Sequence, residues 1–341
     1  MLFRKIIKTT VLTLFTFNIF YTSTQALAEV RSKNDEVVNV IPSRAELQQK
    51  LINALVGEYS NFLALTEHPT TVGDFLPIIQ RAEVVVLANG EEGLLVHQGF
   101  LSSRPTDLAS THYRRTLYLF TSTPHSDALI QVSYPLTPNF TKELLSEPGA
   151  LSQLERLPGC EIHWQYEQVE DSQLSFNGYR SPSRCFFIDE HGVAIHLETI
   201  LHVGNNELQM TENLLDGAGE PLSEADLVGT LSLTPIRFFE MTVSFLPDGS
   251  NADDDEAWLS VQPEGLIHDH GQRINLLTKN EQQALPYEIK LVRGAQDENQ
   301  LQVRIYSLGS ETPMQDLAVE LTEGVGVLNA DPLRVEIQIR R

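Results

Sequence analysis

The sequence predicts a mainly β protein: an antiparallel sheet closed into a barrel or calyx, opened by an N-terminal amphipathic helix and followed by a small C-terminal β domain. Three observations carry that expectation. About eleven short strand-like runs follow one another between residues 83 and 246, separated by Gly, Pro, Asn and Asp, with few helical patterns between them. Several alternate cleanly, as where Ile162, Trp164 and Tyr166 are interleaved with Glu161, His163 and Gln165. A sustained helical period opens the folded part, before the first strand.

In chain order, residues 1–28 read as a secretory signal peptide. Arg4, Lys5 and Lys8 precede the apolar run VLTLFTFNIF, and the small-x-small site Ala26-Leu27-Ala28 follows. That run of about ten residues is shorter than the roughly 20 a bilayer span needs, so cleavage before Glu29 and no stable membrane span are expected. The expected product is exported, periplasmic or secreted. Residues 29–42 are polar and aperiodic, a tether. From Ser43 a capping box with Glu46 leads into apolar positions Leu47, Leu51, Ala54, Leu55, Phe62 and Leu65, predicting a helix of five or six turns bent near Gly57.

The strand runs EVVVLAN, LLVHQGFL, YRRTLYLFT, ALIQVSY, EIHWQYEQ, QLSFNG, RCFFID, GVAIHLETILHV, ELQMTENLL, LVGTLSL and IRFFEMTVSFL come next. One interruption, NFTKELLSEPGALSQLERL, predicts two short helices split by Pro148-Gly149. The first domain is thus expected over 43–247. The stretch PDGSNADDDEAW predicts a solvated acidic linker at 248–257, and its spacing does not match a calcium loop. Residues 258–341 return to strand runs, as a β domain of their own or an extension of the barrel.

Composition narrows the partners. The 341-residue chain carries 24 Lys+Arg against 46 Asp+Glu, a formal charge of −22, and loss of the leader's three cations takes it to −25. Such a surface repels phosphate backbones, which argues against nucleic acid. Cys160 and Cys185 are the only two cysteines. Export favours a disulfide between them, which would stabilise by roughly 3 kcal/mol in the chain-entropy model. The competing reading is a nucleophilic thiol near His163. His196, Glu198 and His202 share one face of a strand, too far apart along it to share a metal, and His268-Asp269-His270 reads as a polar loop; no metal site is expected. Nucleophile-elbow, phosphate-loop and zincin motifs are not found in the sequence.

The segment GCEIHWQYEQVEDSQLSFNGYRSPSRCFF, with Gly-Cys, an aromatic strand, Phe-x-Gly and a second Cys, resembles the T-type phycobiliprotein chromophore lyases, the CpcT/CpeT family. GEYSNF at 57–62, GLLVHQGF at 93–100, HYRRTLYLF at 112–120, LLDGAGEPL at 214–222 and LTPIRFFEM at 233–241 are similar to that family's other landmarks, in its order. The chain departs from it at His97, where Glu is usual, at His112, where Pro is usual, and before Asp216, where Trp is usual. The resemblance covers about residues 50–245. It implies a lipocalin-like barrel, a linear tetrapyrrole (bilin) as ligand, no required cofactor, and an acceptor protein whose cysteine adds to the bilin to form a thioether.

A bilin offers propionates and pyrrole nitrogens, which call for guanidinium and carboxylate groups. Tyr113 and Arg114, with Arg115, are candidates for the first; Asp216 or Glu198 for the second; Gln98 for a lactam; and Trp164 for stacking. No catalytic residue is assignable. The expected function is therefore a chromophore-lyase-like protein that binds a bilin-type or similar amphipathic ligand. The alternatives are a non-catalytic exported carrier and a structural or envelope-interaction protein.

Overall fold

The computed structural model describes residues 42–67, 77–100, 112–122, 128–137, 140–168, 174–189, 191–204, 206–222, 230–279, 283–294, 297 and 299–340. The expected signal peptide at 1–28 and nearly all of the tether at 29–42 lie outside them. Residues 42–341 form one compact unit.

Its first part comprises α1 (Arg44–Leu55), β1 (Gly57–Ser60), α2 (Phe62–Glu67), β2 (Ile78–Val86), β3 (Glu92–Phe100), β4 (His112–Ser122), β5 (Leu129–Pro135), α3 (Lys142–Leu145), β6 (Ile162–Gln168), β7 (Leu174–Arg180), β8 (Phe186–Ile188), β9 (Ala194–Gly204), β10 (Glu207–Leu215) and β11 (Leu231–Pro235). The strands lie in the order β10-β11-β1-β2-β3-β4-β5-β6-β7-β9, and β9 pairs back onto β10 from Glu207↔Gly204 to Leu215↔His196. This closes an antiparallel barrel of ten strands among the described residues. β8 pairs with the end of β9 that extends beyond β7 and forms the terminal strand of the sheet.

The opening helix is shorter than its period suggested. The capping box forms as expected, with Ser43 N–H donating to Glu46 Oε2 at 2.6 Å and Glu46 N–H to Ser43 Oγ at 3.3 Å. The helix then stops at Leu55. Gly57, at φ +127°, turns the chain into β1, which pairs with β2 on one edge and with β11 on the other. Two ladders at the barrel seam outweigh the helical propensity of GEYSNF, and helix resumes only at α2. The apolar face of α1, Leu47, Leu51, Ile52 and Leu55, packs into one core with Leu94, Trp164, Phe176 and Leu233 of the barrel wall. It thus plugs the barrel. On the outer face, Val85, Leu95, Leu117 and Leu119 form a second apolar cluster covered by Leu145 of α3.

The second part comprises β12 (Phe238–Phe245), β13 (Leu259–Pro263), β14 (Ile267–His268), β15 (His270–Thr278), β16 (Ala284–Arg293), β17 (Gln300–Ser307), β18 (Gln315–Glu320), β19 (Val325–Ala330) and β20 (Leu333–Ile339). Their order is β18-β17-β16-β15-β13-β12-β20-β19, with β14 on β12, a nearly closed barrel-like sheet. Two expectations are corrected here. β12, expected to end the first domain, belongs to this second sheet through Val243↔Val261 and Val243↔Val335, so the change of sheet falls between Pro235 and Phe238. The acidic stretch 248–257 is accordingly a connection inside the second sheet and not a linker between domains. β13, β14 and β19 had no clear alternation to announce them.

His268-Asp269-His270 is also corrected. It is a buried joint and not a polar loop: the side chain of Asp269 is 0% exposed and sits between Arg237 Nε at 2.8 Å and Arg293 Nε at 2.9 Å. Arg293 and His270 both contact the carbonyl of Pro235, the last residue of β11, while the His268 ring meets Phe62 edge-on at 4.9 Å. Period-two reading missed this because the burial comes from a neighbouring sheet, which leaves no local pattern.

Candidate functional site

Alternation along the strands decides which side chains enter the barrel. On β4, Arg114, Thr116 and Tyr118 face the lumen; on β9 it is Leu197, Thr199 and Leu201; on β10 it is Leu208, Met210, Glu212 and Leu214. The lumen is divided in two. An inner chamber of about 30 Å³, between Gln80, Gln98, Gln131, Trp164 and Met210, has room for about one water molecule. An outer chamber of about 490 Å³ opens at the barrel mouth and is bounded by Tyr118, Pro135, Leu157, Phe187, Leu197 and Leu214, among others. That volume lies within the range of small-molecule sites.

The partition between the chambers is ionic. Arg114 donates from Nη1 and Nη2 to the two carboxylate oxygens of Glu212, at 3.2 and 2.7 Å, a two-pronged pair. Arg180 stands beside it, its Nη1 3.9 Å from Glu212 Oε1. Arg180 is held by two hydrogen bonds of 3.0 Å, from Nε to the Cys160 carbonyl and from Nη1 to Thr199 Oγ1. Burial pulls the Arg180 guanidinium below its usual pKa, opposed by Tyr118 and Glu212. Two guanidinium groups against one carboxylate leave the lumen walls cationic in a chain of formal charge −22. Polar capacity is also left over: Gln98 Oε1, Gln131 Nε2 and Ser133 Oγ are buried without a hydrogen-bond partner among the described residues.

The sequence-derived candidates divide accordingly. Arg114 is in the partition. Gln98, 2% exposed, lines the inner chamber and donates from Nε2 to Gln80 Oε1 at 2.8 Å. Trp164 is core: it is 1% exposed, its Nε1 donates to Gln131 Oε1 at 2.9 Å, and it lines the small chamber. Asp216 does not line either chamber. It sits in the turn after β10, where Oδ1 accepts from the N–H groups of Ala218 and Glu220, and these bonds hold its carboxyl below the usual range. Glu198 lies on the outer face of β9, accepting from Asn213 Nδ2 and Tyr179 OH. Arg115 faces outward, donating to the Phe140 carbonyl. The Tyr113 side chain lies outside the described residues.

Glu212, Arg180 and Ser133 were missed. The signal available for Glu212 was its place in ELQMTENLL, where Leu208, Met210, Glu212 and Leu214 share a face; a carboxylate on an otherwise apolar face points inward. Arg180 ends β7, two residues past the Phe-x-Gly motif and outside the strand run QLSFNG read from the sequence.

The cysteines form a disulfide, with S–S 2.08 Å, so neither is a free nucleophile next to His163. The glycines around them have steric reasons. A Cβ on Gly159, at φ +75°, would lie 2.3 Å from the Arg184 carbonyl oxygen, where the two bridged segments cross. One on Gly178 would lie 2.9 Å from the Trp164 ring. Among the described residues no group of three or more His, Cys, Asp or Glu is disposed to hold a metal ion, and no helix is long and apolar enough to cross a membrane. The chain matches no family model, and no curated protein matches it in sequence.

Proposed function

We propose that this protein is a chromophore-lyase-like binder that takes a bilin-type or similar amphipathic ligand into the mouth of its barrel. The observation that carries the reading is the outer chamber: about 490 Å³, open at one end, largely apolar in its walls and floored by guanidinium groups. The inner chamber, filled by α1 and Trp164, excludes a ligand of that size, so the molecule sits across the mouth and does not thread the barrel.

The resemblance to chromophore lyases extends this reading to delivery of the bilin to an acceptor protein. Addition of the acceptor thiol across an exocyclic double bond forms a C–S bond and places the thiol proton on the neighbouring carbon, so no oxidant is needed. The disulfide favours a second reading, in which the protein is exported to an oxidising compartment and keeps its ligand as a carrier.

Titration of residues 29–341 with biliverdin, followed by absorbance and native mass spectrometry, tests the site. Saturable one-to-one binding is expected, and Leu214→Trp, which fills the outer chamber from β10, should weaken it at least tenfold without loss of thermal stability. Equal binding by both proteins would place the ligand elsewhere and end this reading. Adding an apo-protein with a free thiol then separates a lyase from a carrier.

A further inference from the structure

We propose that the floor of the outer chamber is a receptor for a single carboxylate, received by Arg180 with help from Ser133, and that the Cys160–Cys185 disulfide is what holds Arg180 in place. The inference rests on the outer chamber being a ligand site and adds the chemical class of the ligand: an apolar body ending in a carboxylate.

The two arginines of the lumen are not equivalent. Arg114 is committed to Glu212 through both of its terminal nitrogens. Arg180 spends Nε on the Cys160 carbonyl and Nη1 on Thr199, while its Nη2 makes no hydrogen bond among the described residues. Its side chain is only 7% exposed and lines both chambers, so the spare donor group belongs to a mostly buried cation with access to the chambers. A mostly buried cation with an unused donor gains a charge-assisted hydrogen bond when an acceptor arrives. Ser133, 6% exposed, lines the same outer chamber with an unpartnered hydroxyl. A carboxylate has the charge and the acceptors that these two groups lack. A ligand cation would meet both guanidinium groups instead.

The disulfide enters through Arg180's anchor. The carbonyl that fixes Nε belongs to Cys160 itself, and the chain leaving Arg180 turns at Ser181, whose carbonyl accepts from Cys185 N–H at 3.0 Å. Both sides of the guanidinium's mounting therefore end on the same covalent bridge. Reduction frees the two segments from each other and gives Arg180 other rotamers, in some of which it reaches Glu212 or solvent.

The test uses 1-pyrenebutyrate and its neutral amide, two probes with one body and different heads, with biliverdin and its dimethyl ester as a tetrapyrrole pair. Wild-type protein should bind each acid about tenfold or more tightly than its neutral partner, the range of one charge-assisted hydrogen bond. Arg180→Met should abolish the preference while leaving amide affinity within about threefold, since the two heads differ in the charge that Arg180 receives. Arg180→Lys should retain part of it, and serves if the Met variant fails to fold by circular dichroism. The Cys160→Ser/Cys185→Ser variant should keep amide binding and lose most of the acid preference. Equal binding of acid and amide by wild type overturns the carboxylate receptor and leaves the ligand chamber standing. No binding of any probe overturns both. An acid preference that survives loss of the disulfide overturns the positioning role alone.

Discussion

The two sheets of this protein solve the same packing problem in opposite ways. The interior of the second sheet is apolar and mainly aliphatic: Val261, Ile289, Leu291, Leu301 and Val303 are all fully buried in one cluster. The first barrel is wider and only part of its lumen is filled by α1. The remainder holds three glutamines, two arginines and a glutamate, with several polar atoms left without partners among the described residues. Burying unsatisfied polar groups costs stability, and a fold whose only task was to be stable would use aliphatic side chains there, as the second sheet does. The first barrel holds the open chamber with its ionic floor; the second sheet is joined to it at Asp269.

That contrast can be broken at the weld, where the largest effect is expected. Asp269→Ala removes the buried carboxylate shared by the partly buried Arg237 and Arg293 and should cost about 3 kcal/mol in urea unfolding, the range of charge-assisted hydrogen bonds. A loss under 1 kcal/mol would mean that the sheets are held together by Phe238, Ile79 and Ile236 instead.

Acid should loosen the same joint. Burial, and after it the neighbouring His270, lowers His268 from 6.5 to about 4, and burial lowers His270 as well. The unfolded chain therefore binds the protons more tightly than the folded one. Stability from His268 is fully present above about pH 6.5 and is lost as the pH falls towards 4, by about 3 kcal/mol. Asp269 acts in the same direction: burial raises its carboxyl, but the hydrogen bonds and charges of Arg293 and Arg237 outweigh this and hold it low. Urea midpoints of wild type and His268→Gln from pH 7 to 4 check the point, the variant showing the shallower decline.

The smallest effect is expected inside the first barrel. Ser133→Ala removes a hydroxyl that is already unpartnered among the described residues and should change stability by about 1 kcal/mol or less. Leu291→Ala in the second sheet should cost about 2–5 kcal/mol. Similar losses at the two positions would remove the distinction between a functional and a structural interior.

Much of the fold was legible in local pattern. Several of the strands from EVVVLAN to ELQMTENLL announced themselves by alternation, and the helix start by Ser43 and Glu46. The failures have one origin. GEYSNF carries a helical period, yet Tyr59 and Ser60 are drawn into two ladders at the seam. IRFFEMTVSFL reads like the strands before it, and no local feature reports which sheet it joins. The candidate site was half legible: Arg114 and Gln98 were found, while Asp216 belongs to a turn and Arg180, Ser133 and Glu212 were overlooked.

By itself the sequence determined what short-range physics controls: caps, turns, strand alternation and acidic charge. Only the tertiary structure decided which strands close on which, that Asp269 is a buried weld, and that Arg114, Arg180 and Glu212 meet across a lumen. Closure brings together residues far apart in the chain: Arg114 and Glu212 are 98 positions apart, and Ser60 and Thr234 are 174 apart. No local period can encode such a meeting, because the energy that selects it comes from the packing of the whole barrel.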